Sequence, residues 1–112
     1  MEDEKVIITG SEGFIGSCII DKFQSHNFSF LGIDKRANHP ENNLDLTNFE
    51  DLVSRFNNYQ PSIIFHTGTH SAGAYSKDFL GAYKEDSQAL TNIMDYLSDK
   101  PDILLVFFRG II

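Results

Sequence analysis

The sequence predicts an open α/β fold, a doubly wound parallel sheet of about five strands in the order 3-2-1-4-5, with helices on both faces. Three observations carry this expectation. Short apolar, β-branched runs alternate with helical spacings from one end of the chain to the other. No repeat, linker or low-complexity tract interrupts them. The length, 112 residues, suits one hydrophobic core and leaves no room for a second.

Lys5–Thr9 (KVIIT) is continuously apolar, as expected of a strand buried on both faces. Gly10–Gly16 follows it, and from Phe14 the residues Ile15, Cys18, Ile19 and Phe23 fall at helical spacing. Cys18 therefore reads as packing on the apolar face of that helix. Phe28–Asp34 (FSFLGID) is the second strand and Asn43–Leu46 a short third one. Asn48 caps a helix that puts Phe49, Leu52, Val53 and Phe56 on one face. Ser62–His66 (SIIFH), just after Pro61, is the fourth strand. Lys77–Ser98 reads as one long helix with Tyr83, Leu90, Ile93, Met94 and Leu97 on its buried side. Pro101 stops what precedes it, and Ile103–Phe108 (ILLVFF) is the fifth strand.

Composition narrows the partners. Sixteen acidic residues against nine basic ones give a formal charge of −7, which repels nucleic acid and anionic membranes. No apolar run approaches the roughly 20 residues of a membrane helix. The opening MEDEK is too acidic for a signal or transit peptide. A single cysteine makes no internal disulfide, so a cytoplasmic setting is expected, and the Asn27-Phe28-Ser29 sequon reads as a chance match.

The chemistry gathers at the first strand-to-helix turn. Thr9-Gly10-Ser11-Glu12-Gly13-Phe14-Ile15-Gly16 places three glycines at a spacing of three between a strand and a helix. Gly10 takes the tight turn, Gly13 lets a pyrophosphate approach the backbone, and Gly16 lets the helix lie close on the sheet. The free N–H groups and positive dipole end of that helix attract phosphate, so an acidic protein can still hold an anionic dinucleotide. Asp34, 18 residues beyond Gly16, closes the second strand. A carboxylate there accepts both hydroxyls of the adenosine ribose and repels a 2′-phosphate, which favours NAD over NADP. Lys35 and Arg36 follow at once. A cation at that point either sits in a solvated turn or holds that phosphate, so NADP stays open.

On these residues the chain resembles the extended short-chain dehydrogenase/reductases, in particular the NAD-dependent epimerases and dehydratases of nucleotide sugars. TGSEGFIG is similar to the family's TGxxGFIG at Thr9, Gly10, Gly13, Phe14, Ile15 and Gly16. The resemblance implies a Rossmann-like domain over residues 1–112. It gives cofactor contacts to Gly10, Ser11, Glu12, Gly13, Phe14, Ile15, Gly16, Asp34 and Lys35. It also assigns adenine contacts to Asp45 and Leu46, and places Thr67 and Gly68 on the ribose and nicotinamide side. His66-Thr67-Gly68-Thr69 matches the family's His-x-Ala-Ala/Gly turn in part, with Thr69 as a departure. Asp86 or Ser87 stands where the family has the asparagine of Asn-Val-x-Gly-Thr.

The same resemblance implies a hydroxyl-rich segment after the fifth strand, then a helix bearing Tyr-x-x-x-Lys as acid/base. Phe108-Arg109-Gly110-Ile111-Ile112 stands there instead, so no catalytic residue is assigned and the domain reads as incomplete. The one Tyr-x-x-x-Lys, Tyr96 to Lys100, precedes the fifth strand and is expected at the wrong edge of the sheet. His66 and His70 have i, i+4 spacing, but Gly68 and the preceding strand argue against a helix between them, so no metal is assigned. Ser11, Ser71 and Ser76 show no triad pattern. Two functions remain open. One is the cofactor-binding portion of a nucleotide-sugar epimerase or dehydratase, inactive alone and meeting its sugar only when completed. The other is a non-catalytic NAD(P)-binding module for sensing or assembly. Either way, the exposed fifth strand offers a route to self-association.

Overall fold

The computed structural model describes residues 4–108. Met1–Asp3 and Arg109–Ile112, the latter read as replacing a hydroxyl-rich segment, lie outside the described residues. The elements run β1 (Val6–Thr9), α1 (Phe14–Ser25), β2 (Leu31–Ile33), α2 (Phe49–Tyr59), β3 (Ile63–His66), α3 (Ala72–Lys77), α4 (Phe79–Leu97) and β4 (Leu104–Phe107). All four strands pair in parallel in the order β2-β1-β3-β4. These are the expected first, second, fourth and fifth strands in their expected order.

The expected third strand is reduced to one bridge, Asp34 to Asn43, beside β2. Two backbone bonds remain, from the Asp34 amide to the Asn42 carbonyl at 2.8 Å and from the Leu44 amide to the Asp34 carbonyl at 3.4 Å, and side chains satisfy further carbonyls there. Asn42 Nδ2 donates to the Gly32 carbonyl at 2.7 Å, and Arg55 caps the carbonyls of Pro40, Glu41 and Asn43. Leu44 and Leu46 are buried nonetheless.

Alternation along β1 and β3 divides the interior. Ile7, Ile33 and Ile64 face α2 and α4, with Leu52, Phe56, Ile93 and Tyr96. Val6 and Ile8 face α1 through Phe23, which meets Phe28, Phe30 and Phe65 edge-to-face. Asn48 caps α2 as expected: its side chain accepts from the Asp51 amide at 3.2 Å.

Three expectations need correction. The long helix is one, α4, but it starts two residues later than expected because Asp78 leaves helical geometry and caps it, accepting from the Gly81 amide at 3.1 Å, and the short α3 before it is not among the expected elements. The buried side of α4 is Ala82, Ala89, Asn92, Ile93 and Tyr96, while Tyr83 and Met94 are exposed. Ala89 and Ile93 join the core cluster, and Asn92 Nδ2 anchors the helix to the Leu46 carbonyl at 2.8 Å. Cys18 is exposed. Gly16 and Phe23 turn α1 toward the sheet, and at 100° per residue Cys18 points the other way. Among the described residues, no helix is long and apolar enough to cross a membrane.

Candidate functional site

A cleft of about 650 Å³ opens where the C-terminal ends of β1, β2 and β3 meet the start of α1 and the first half of α4. Ligands of open α/β sheets bind at this edge. Its floor and walls bring together Gly10, Glu12, Gly13, Phe14 and Ile15 from the first turn with Asp34 and Lys35 after β2. Asp45, Leu46, Thr67 and Gly68 complete the set named from the sequence. Ser11 and Gly16 stand behind it. The Ser11 side chain packs on Gly32, and Gly16 lies beneath Gly10.

The glycine turn is as tight as its spacing requires. Gly10 has φ +72°, and a Cβ there would lie 2.8 Å from the Gly68 backbone. A Cβ on Gly16 would lie 2.1 Å from the Gly10 carbonyl oxygen, so the start of α1 presses directly on the turn. No side chain caps α1, so the first-turn amides of Phe14, Ile15 and Gly16 have no partner within the helix. Phe14 is 84% exposed at the cleft mouth. A bare glycine turn, unspent helix-start amides and an acid across the cleft fit the pyrophosphate and ribose of a dinucleotide.

The acid is Asp34, whose side chain is 6% exposed. Its Oδ2 accepts from the Glu12 amide at 3.0 Å, and its Oδ1 from the Arg36 amide at 2.9 Å. The Arg36 guanidinium adds Nε to Oδ1 at 3.2 Å and a terminal nitrogen to Oδ2 at 3.1 Å. Burial alone would raise the carboxyl's pKa. The bonds from Arg36 and Glu12 outweigh it and hold the group below the usual carboxylate range. Lys35 turns across the cleft instead, to Glu85 of α4 at 2.9 Å. Asp45 accepts from the Thr47 amide and hydroxyl at 3.0 and 2.7 Å. Burial would raise its pKa too, but these bonds hold it low.

Beneath the cleft, Thr9 joins β1 to the turn after β3. Its Oγ1 accepts from the amides of Thr67 and Gly68, both at 3.0 Å. Its own proton then goes to His66 Nδ1 at 2.7 Å, which leaves the imidazole proton on Nε2. His66 is fully buried and stacks on Phe107, and burial pushes its pKa down to about 4 against a lesser pull from Asp86. It is a neutral positioning group that fixes Thr67 and Gly68 through Thr9.

A second cluster in the cleft wall was not apparent from the sequence. Asp86 accepts from the His70 amide, lies 2.7 Å from His70 Nδ1, and accepts from the Tyr75 hydroxyl at 2.6 Å. That last bond pushes the Tyr75 pKa up to about 12. The contacts link α4 to a loop residue 16 positions away and to an α3 residue 11 positions away, so no periodic pattern announces them. Of the two residues proposed for the asparagine position, Asp86 faces the cleft. His66 and His70 share no helix, and among the described residues no cluster of His, Cys, Asp and Glu suits a metal. Tyr96 and Lys100 pair with each other away from the cleft. The buried Tyr96 hydroxyl donates to Asn57, the Lys100 ammonium lies 4.1 Å from the Tyr96 ring centre, and neither lines the cleft.

Comparisons with known proteins agree with this geometry. Residues 6–109 match the NAD dependent epimerase/dehydratase family. GDP-L-fucose synthase 1 of Arabidopsis thaliana is 30% identical over 95 residues, 80% of this chain and 27% of that protein. The chain thus spans about a quarter of the curated relatives it matches. The UDP-glucose 4-epimerase of Thermus thermophilus, solved with NAD, superposes with a TM-score of 0.78 at 22% identity, covering 92% of this chain and 36% of that one. The L-threonine dehydrogenase of Clostridium difficile gives 0.81 at 19% identity, over 93% and 35%. With its Rossmann-like sheet, its glycine turn and a family match over nearly its whole length, the chain belongs to the NAD-dependent epimerase/dehydratase family.

Proposed function

We propose that this chain is the cofactor-binding portion of an NAD-dependent epimerase or dehydratase acting on a nucleotide sugar. The observation that carries this reading is the convergence of the glycine turn and Asp34 on one cleft. In it, Gly13 leaves room for the pyrophosphate, and the amides at the start of α1 donate to the phosphates. Asp34 accepts the adenosine ribose hydroxyls, which favours NAD over NADP. Asp45 and Leu46 border the adenine, while Thr67 and Gly68, held by Thr9, border the second ribose. The bound dinucleotide supplies hydride acceptance and return. The names of GDP-L-fucose synthase and UDP-glucose 4-epimerase support a nucleotide sugar as substrate. A reducing, cytoplasmic setting suits a single exposed cysteine.

In this reading residues 1–112 bind and do not turn over, because Tyr96 and Lys100 form a structural contact away from the cleft. The test is calorimetric titration of NAD into the wild-type chain and into Asp34→Ala. The substitution should weaken binding by about 1–3 kcal/mol, the scale of lost hydrogen bonds to a charged group. Incubation with NAD and a panel of UDP- and GDP-sugars should give neither NADH nor rearranged sugar. Turnover abolished by Tyr96→Phe would reverse the assignment of that residue.

A further inference from the structure

We infer that residues 69–77, the turn and short helix after β3, form a flap over the cleft, and that Asp86 is the latch that holds it shut. The inference rests on the dinucleotide reading above and adds how the cofactor enters and leaves. The flap is fixed at both ends. Thr9 holds the amides of Thr67 and Gly68 on one side, and Asp78 caps α4 on the other. Between these ends no residue is buried, whereas Thr69, His70, Ser71, Ala72 and Ala74 line the cleft. With no side chain committed to the core, packing contributes little to the position of the segment.

Hydrogen bonds hold it instead. Among the described residues, every one that runs from the flap to the protein beyond residues 67–78 ends on Asp86. This carboxylate accepts from the His70 amide at 3.0 Å and from the Tyr75 hydroxyl at 2.6 Å, and lies 2.7 Å from His70 Nδ1. An ionised carboxylate only accepts, so the ring proton sits on Nδ1 and completes the set. Bonds to a charged acceptor are the strong ones, and losing one shifts a closing equilibrium by about tenfold. The pKa of Tyr75, pushed up to about 12, reflects the same bond, because the hydroxyl keeps the proton it gives to Asp86. The neighbouring tie is weaker. Glu85 reaches Lys35 at 2.9 Å but His70 Nε2 only at 3.5 Å, and its side chain is 47% exposed. Exposed pairs of this kind contribute little, so the latch is Asp86 and not Glu85. A segment tied at one point between two fixed ends opens when that point is released.

The experiment is stopped-flow mixing of NADH with wild-type chain, Tyr75→Phe, Asp86→Asn and Glu85→Gln, with release followed by a chase of excess NAD. Tyr75→Phe keeps the ring between His70 and Phe79 and deletes only the hydroxyl. Its association and dissociation rates should both rise about three- to tenfold, while Kd stays within about threefold of wild type. A residue that only shaped the site would lower affinity and leave association unchanged. Asp86→Asn loses the charge on every bond of the latch and should raise both rates at least as much. Melting curves confirm folding, and amide exchange reads the flap without ligand. Protection of the His70 amide should fall by about tenfold in Tyr75→Phe, with the amides of β1 unchanged. Unchanged rates in folded Tyr75→Phe and Asp86→Asn, or affinity lost through dissociation alone, would overturn the latch and leave the dinucleotide reading intact. So would a larger rise in Glu85→Gln than in Tyr75→Phe. Wild-type chain that bound neither NADH nor NAD would bring down both.

Discussion

Acidification from pH 7 to pH 5 is expected to destabilise the fold through His66. In the native state its Nδ1 accepts from Thr9, whose oxygen is already filled by two amides. A proton on Nδ1 would therefore face an oxygen with no lone pair to offer. Burial adds to this, and the native pKa falls to about 4 against an ordinary value of 6.5. The unfolded chain takes up the proton first, so stability drops as pH falls below about 6.5 and levels off only near 4. Between pH 7 and pH 5 the linkage comes to about 2 kcal/mol. Asp34 and Asp45 do not share this window, because their lowered values withdraw stability only below the ordinary carboxylate range. Urea unfolding of wild type and His66→Gln at both pH values isolates the effect. The variant starts lower but should lose about 2 kcal/mol less between them. Equal losses in the two chains would refute the tautomer and burial argument.

Three more outcomes follow from packing and capping. Gly16→Ala should cost about 1–3 kcal/mol in chemical denaturation and also weaken NAD binding, because the new methyl group meets the Gly10 carbonyl and pushes α1 off the turn. Asn48→Ala should cost about 1 kcal/mol in the same assay and leave NAD binding unchanged, since it removes only the α2 cap. At high concentration, light scattering should detect self-association of the wild-type chain through β4, where Leu104 is 58% and Phe107 40% exposed, and Leu104→Lys should reduce it.

The strands were legible because buried parallel strands are written as unbroken apolar runs, and VIIT, IIFH and LLVF each sit within a residue of where they were expected. The glycine turn was legible for the same local reason: its spacing encodes its shape. Other features were hidden by longer-range geometry. Nothing in Asn42 and Arg55 announces that their side chains will satisfy the carbonyls beside a strand reduced to one bridge. The buried face of α4 includes Ala82 and Ala89, whose small size reads as neutral in the sequence. The Asp86 network and the hold of Arg36 on Asp34 are side-chain choices that residue order leaves open, even where, as with Arg36, only two positions separate the partners.

In the proposed reading the cleft between the glycine turn and Asp34 holds a dinucleotide. Amide chemical shifts of the labelled chain, recorded as NAD is added, test it residue by residue. Saturable, one-to-one changes are expected at Gly10, Gly13, Phe14, Asp34, Leu46 and Gly68, with the outer face of α2 silent. An absence of saturable shifts, or shifts centred on the β4 edge instead, would contradict it.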